Sequence, residues 1–130
     1  MNLRALMTTV LLAAVCGVAQ AHHSTANFDS RKEQTLQGTV KYFGFTNPHS
    51  FIDVEGAVAG SDPGIAATPY KVFTVGRVLL VRYGWKQGDL KPGDVVTVTG
   101  HPDREDPHFM YLTKITFADG RVWERKTIEE

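Results

Sequence analysis

From Thr35 onward the sequence is a succession of short stretches in which apolar and polar residues alternate, each closed by glycine, proline, asparagine or aspartate. Alternation with a period of two places successive side chains on opposite faces of a strand, and the punctuation limits each strand to roughly five to ten residues. "TLQGTVKYFGFTN" (35–47) is the first such strand. Its Val40, Tyr42 and Phe43 are expected to lean toward a core, and Gly38 and Gly44 to mark bends or bulges. Asn47-Pro48 ends it, and "SFIDVEG" (50–56) is the second strand. The small, polar "AVAGSDPGIAAT" (57–68) reads as a mobile hairpin loop before a third strand, "YKVFTVG" (70–76). There Tyr70, Val72 and Thr74 share one face, and Lys71, Phe73 and Val75 the other.

One stretch breaks the alternation. "RVLLVRYGW" (77–85) brings Val78, Leu79 and Leu80 together and ends at Gly84, where a helix C-cap belongs, so a short helix is expected over 77–84. A tight turn at Pro92-Gly93 leads to a fourth strand, "VVTVTG" (95–100), and then a fifth, "FMYLTKITF" (109–117). "ADGR" turns the chain into a last short strand, "VWERK". Three strands, a helix and two more strands is the order of an OB-fold. The expected fold is therefore all-β: a small OB-like, five- to six-stranded, partly open barrel with one short helix between strands 3 and 4. Trp85, Leu79, Leu80, Val96, Val98 and Ile115 should be buried in it. An SH3-like barrel is the competing architecture, in which a helix at that point is less natural.

Residues 1–21 have the layout of a secretory signal peptide. Arg4 precedes an apolar run from Ala5 to Val18, and Ala19-Gln20-Ala21 supplies the small-x-small pattern that signal peptidase accepts. The run is too short to anchor a chain across a membrane, and no later segment approaches the necessary length. Cys16 raises a lipoprotein reading, but Ala13-Ala14-Val15 is a poor lipobox. The expected product is a periplasmic protein cut after Ala21, with a tether at 22–34 and a barrel domain at 35–130. About 109 of the 130 residues remain, enough for one domain with a core of its own. Of the 14 basic and 14 acidic side chains only Arg4 leaves, so no basic face is in evidence and a nucleic-acid partner is not expected. The single cysteine leaves too, so any metal must be held by nitrogen and oxygen.

The remaining chain carries five histidines: His22, His23, His49, His101 and His108. His49 lies in the turn between strands 1 and 2, and His101 and His108 bracket the loop between strands 4 and 5, the two loops that flank the binding face of an OB barrel. His22 offers more than an imidazole, because cleavage after Ala21 gives it a free amine. Amine and ring Nδ1 of one residue can grip a metal as a chelate, and a third nitrogen from a distant histidine completes a histidine brace, a geometry that suits Cu(II). With a reference amine pKa of about 7.7 to 8.0, binding near neutrality must displace a proton. The terminal copper motif that needs histidine at position three fails, since Ser24 stands there. From His22 to about Thr35 the chain spans roughly 43 Å when extended. The first strand measures roughly 36 Å, so the tether can fold back to meet His49.

Each feature also has a plainer reading. Polar residues are tolerated beside a cleavage site, Asn47-Pro48-His49 can be only a turn, and His101 and His108 sit in an acidic loop where solvation suffices. No serine stands in a nucleophile elbow and no close carboxylate pair suggests glycoside hydrolysis. Tyr42, Phe43, Phe45 and Phe51 can stack a sugar or base, although strand aromatics more often fill cores.

The stretches "AHHS", "NPHSFI", "YGW", "DLKPGD" followed by "VTVTG", and "FADGR" together resemble a bacterial exported family known only as domain of unknown function 6152. The resemblance spans almost the whole exported chain and implies a periplasmic β-barrel domain with no established activity. The family pattern carries the paired histidines and the Asn-Pro-His turn, matching His22, His23 and His49, but not His101 or His108. The loop from Ala57 to Thr68 is longer than the pattern, and an acidic residue of the third strand is replaced here by Phe73 or Thr74. The expected function is thus metal binding, copper first and zinc second, with His22 and His49 as ligands, His23 in support, and His101 and His108 as further candidates. Carriage or sensing is expected rather than turnover, with brace-type copper oxidase chemistry the weaker option. Another periplasmic protein is a candidate partner. The competing function is a periplasmic module that binds a glycan, peptide or protein without metal.

Overall fold

The computed structural model describes residues 25–126. A short 3-10 turn, Thr25–Asn27, leads to strands β1 (Gln34–Gly44), β2 (His49–Val58) and β3 (Thr68–Val75). An α-helix, α1 (Arg77–Arg82), follows, and then β4 (Val95–Pro102), β5 (Phe109–Thr116) and β6 (Val122–Glu124). The strands form one sheet in the order β3-β2-β1-β4-β5-β6, and a parallel pairing of β3 with β5 closes the first five into a barrel. β5 divides its free edge. Phe109 to Tyr111 pair with β3, while Lys114 to Thr116 pair with β6. This is the all-β, OB-like barrel with its helix between strands 3 and 4.

Alternation is what builds the interior. Every second residue of β4 (Val96, Val98, Gly100) and of β3 (Tyr70, Val72, Thr74) points inward and is buried. Leu36, Val40, Ile52, Val54, Val72, Met110, Leu112 and Ile115 complete the packed centre, and Leu80, Trp85 and Leu90 fill it from the α1 side. Each large aliphatic side chain so buried contributes roughly 1.5 to 3 kcal/mol relative to exposure.

Two inward assignments fail. The β1–β2 register shifts between Val40 and Tyr42, so Lys41 is an extra residue and the alternation inverts after it. Tyr42 consequently lies 52 % exposed on the outer face, while Phe43 packs against the core. The bulge is therefore at Lys41. Gly38 serves instead for close approach: a Cβ there would lie 2.7 Å from the Cα of Gly56, its partner across the strands. Gly44 makes room for the ring of Phe51. The second failure is Leu79, which is exposed. α1 has only six residues and turns a single one, Leu80, into the barrel. Gly84 follows the helix with φ +92°, the left-handed conformation that its C-terminal position requires.

Candidate functional site

The turn between β1 and β2 is stapled to itself and to α1. The Ser50 hydroxyl donates to the Thr46 carbonyl at 3.0 Å and accepts from the Thr46 amide at 3.2 Å. The Asn47 side-chain oxygen accepts from the Val78 amide at 3.1 Å, capping a helix that has no cap of its own at Gly76. The Asn47-Pro48 peptide is cis, and Gly76 packs so closely on this turn that a Cβ would lie 2.5 Å from the Pro48 carbonyl oxygen. His49, the first residue of β2, is thereby held at the rim with its side chain exposed. Its ring lies on Phe73, centroids 4.5 Å apart.

Phe73 also carries the N-terminal segment. Phe28 is buried, stacked on Phe73 at 6.2 Å and tilted against Phe109 at 5.2 Å and Tyr111 at 5.4 Å. Backbone bonds fix the segment on both sides: the Asp29 amide donates to Pro102 at 2.9 Å, and the Arg104 amide donates to Asn27 at 3.1 Å. The Asp29 carboxylate accepts from the Arg31 amide and guanidinium, both at 3.2 Å. The bond from the Arg31 amide, aided by the Arg31 and Lys32 charges, holds its pKa below the ordinary carboxylate value despite its burial. One aromatic cluster therefore seats both His49 and the chain six residues after His22.

His22 and His23 lie outside the described residues. His101 is in β4 itself rather than in the loop after it, and its Nδ1 lies 2.7 Å from the Lys32 carbonyl. A carbonyl only accepts, so that nitrogen carries the proton. His108 immediately precedes β5, 3.4 Å from Asp106 and with its ring 4.8 Å from that of Tyr70. His49 pairs with Val75, so five residue steps along β3 separate it from His108's neighbour Tyr70, roughly 16 Å. Among the described residues no three His, Cys, Asp or Glu side chains come together as a metal group. Phe73, and not Thr74, faces His49. Thr74 is buried, so the outer position beside the histidine holds a ring. The seat of Phe28 is not marked in the sequence; its one signal is that Phe73 falls on the face of β3 opposite Tyr70, Val72 and Thr74.

Beyond this cluster, an open cleft of about 690 Å³ is lined by Lys41, Asp53, Tyr70, Lys71, His108 and Phe109, among others. Its charges are paired, Lys41 with Glu55 and Lys71 with Asp53, each at 3.2 Å.

A model of a family of unknown function, DUF6152, matches residues 10–109. No curated protein matches the sequence. Among solved structures, the chain is similar to the mitochondrial single-stranded DNA-binding protein Rim1 of S. cerevisiae. That match has 8 % identity and a TM-score of 0.49, over 66 % of this chain and 92 % of that one. It is also similar to a ZRD-deleted mutant of TiaS in complex with agmatine, with 18 % identity and a TM-score of 0.49, over 74 % of this chain and 26 % of that one.

Proposed function

This chain belongs to the family of unknown function DUF6152, and we propose that it is an exported, periplasmic metal-binding protein, copper first and zinc second. His22 and His49 are the ligands, with His23 in support, and the work is carriage or sensing of the metal. One observation carries the reading. Phe73 contacts both the ring of His49 and, through Phe28, the N-terminal segment. Six residues lead from His22 to Phe28, a reach of roughly 21 Å, and Phe28 is already fixed on the cluster. A brace needs only these two residues, because amine and ring of His22 supply two nitrogens and His49 the third.

The test is Cu(II) titration of the chain beginning at His22 beside the same chain with one alanine ahead of it, and beside His49→Ala. The extra residue converts the amine to an amide, so affinity falls and the Cu(II) resonance spectrum leaves three-nitrogen coordination. His49→Ala also weakens binding, and His101→Ala or His108→Ala weakens it less than the extra residue does. Equal affinity with and without that residue would refute His22 as a ligand. The intact mass of protein recovered from the periplasm checks the start at His22.

A second reading, a module that binds a glycan, peptide or protein without metal, is favoured by the cleft beside Tyr70 and Phe109. Melting temperature separates the two, since a metal that binds only the folded chain must raise it.

A further inference from the structure

We propose that the face formed by α1 and β6 docks on an anionic membrane surface. Of the four apolar residues in α1 only Leu80 is buried, and Val78, Leu79 and Val81 are 54 %, 39 % and 52 % exposed. Tyr83 and Val122, beside Arg82 at the end of the helix, are 49 % and 57 % exposed. The Tyr83 ring lies 6.0 Å from that of Trp123, and a shallow cleft lined by Arg82, Tyr83, Val122, Trp123 and Lys126 joins helix to strand. Single exposed valines need no explanation, but three exposed apolar side chains on a six-residue helix, next to a cleft lined by Tyr83 and Val122, do.

The surroundings of this patch select its occupant. Arg77, Arg82, Arg125 and Lys126 are exposed around it, and among the described residues none has a carboxylate at ion-pair distance. Arg77 lies over the Phe45 ring and Arg125 over the Tyr111 ring, contacts that leave both charges unneutralised. The acid in the cleft, Glu124, sits 4.0 Å from Lys114. Glu33 lines a neighbouring cleft with Tyr83 and Arg125, so among the described residues the four unpaired cations outnumber the acids on this face. Two copies meeting through it would oppose arginine to arginine. An anionic bilayer instead accepts the valines, leucine and tyrosine at its headgroup boundary and attracts the arginines and lysine around them. No described helix is long and apolar enough to cross a membrane, so the contact is with the surface.

The experiment is co-sedimentation of the chain beginning at His22, which contains the whole core, with vesicles of phosphatidylcholine alone and with one third phosphatidylglycerol. Binding to the anionic vesicles is expected, weaker with added salt and at least about tenfold weaker without phosphatidylglycerol. Arg82→Gln and Lys126→Gln should each lower partition about fivefold. Val78→Ser with Val81→Ser should lower it further, and Val95→Ser, an exposed valine of β4, should leave it unchanged. Melting temperatures verify folding, and Arg82→Gln alone suffices should the valine pair fail to fold. Absence of vesicle binding, or binding indifferent to Arg82 and the valines, overturns the proposal. So does a concentration-dependent dimer that Val81→Asp abolishes, which would assign the face to a second copy.

Discussion

Phe28→Ala removes a ring that belongs to no strand of the barrel yet is 95 % shielded from solvent by Phe73, Phe109 and Tyr111. Truncating a buried phenylalanine costs about 3 to 5 kcal/mol. Here the ring sits on the outside of the sheet, so no interior cavity remains and about 3 kcal/mol is the appropriate figure. At 1.4 kcal/mol per factor of ten, the ratio of docked to undocked segment falls by roughly a hundredfold. The loss is local. The Asp29 and Arg104 amides, whose acceptors lie across the docked segment, should exchange hydrogen about a hundred times faster, while the amides of Ile52 and Val98 keep their protection. On the proposed brace, copper affinity should fall by a much smaller, calculable amount. Undocking moves the last fixed point from Phe28 to Gln34, so the free span from His22 grows from about six residues to about twelve. Doubling a flexible span costs about 0.6 kcal/mol, a threefold loss of affinity. Exchange at Asp29 unchanged by the substitution would refute the docking. A copper loss as large as that from blocking the His22 amine would refute the account of Phe28 as a positioning residue.

Leu80→Ala should destabilise the barrel by about 2 to 5 kcal/mol in urea unfolding, and Leu79→Ala by less than about 1, because only the first side chain is inside. Asn47→Ala leaves the Val78 amide uncapped and should cost about 1 kcal/mol, read by calorimetry as a fall of about 4 to 8 °C in melting temperature. Asp29 has a folded pKa below its ordinary 3.8, so its contribution is complete above that value and fades as pH falls through the folded one. The N-terminal segment should therefore loosen below about pH 4, seen as faster exchange at Arg104, and Asp29→Asn should abolish that acid dependence.

The barrel was legible wherever local rules governed. The inward face of β3 and that of β4 follow from alternation, and the end of α1 follows from a glycine that alone accepts φ +92°. Three features depend on partners far along the chain, and local pattern misplaces or misses each. The bulge at Lys41 follows from pairing with β2, and it turns Tyr42 outward against the alternation. Leu79 looks like a core residue beside Leu80, yet a six-residue helix laid on a barrel has one inward position. The seat of Phe28 exists only because β3 and β5 bring Phe73, Phe109 and Tyr111 to one outer surface.

The same distinction separates the histidines. Within the Asn-Pro-His turn the fold uses the first two residues: Asn47 caps α1, and Pro48 meets Gly76 at a spacing that admits no side chain. His49 is different. Its ring rests on Phe73, a contact that any aromatic side chain would make, and its nitrogens have no hydrogen-bond partner among the described residues. His101 spends a nitrogen on the Lys32 carbonyl, and His108 stands beside Asp106 and Tyr70. An imidazole whose nitrogens bond to none of the described residues, fixed at the rim by a turn that caps α1, is the one of the three that best suits the proposed ligand role. It is also the one that shares its aromatic support with the segment leading back to His22.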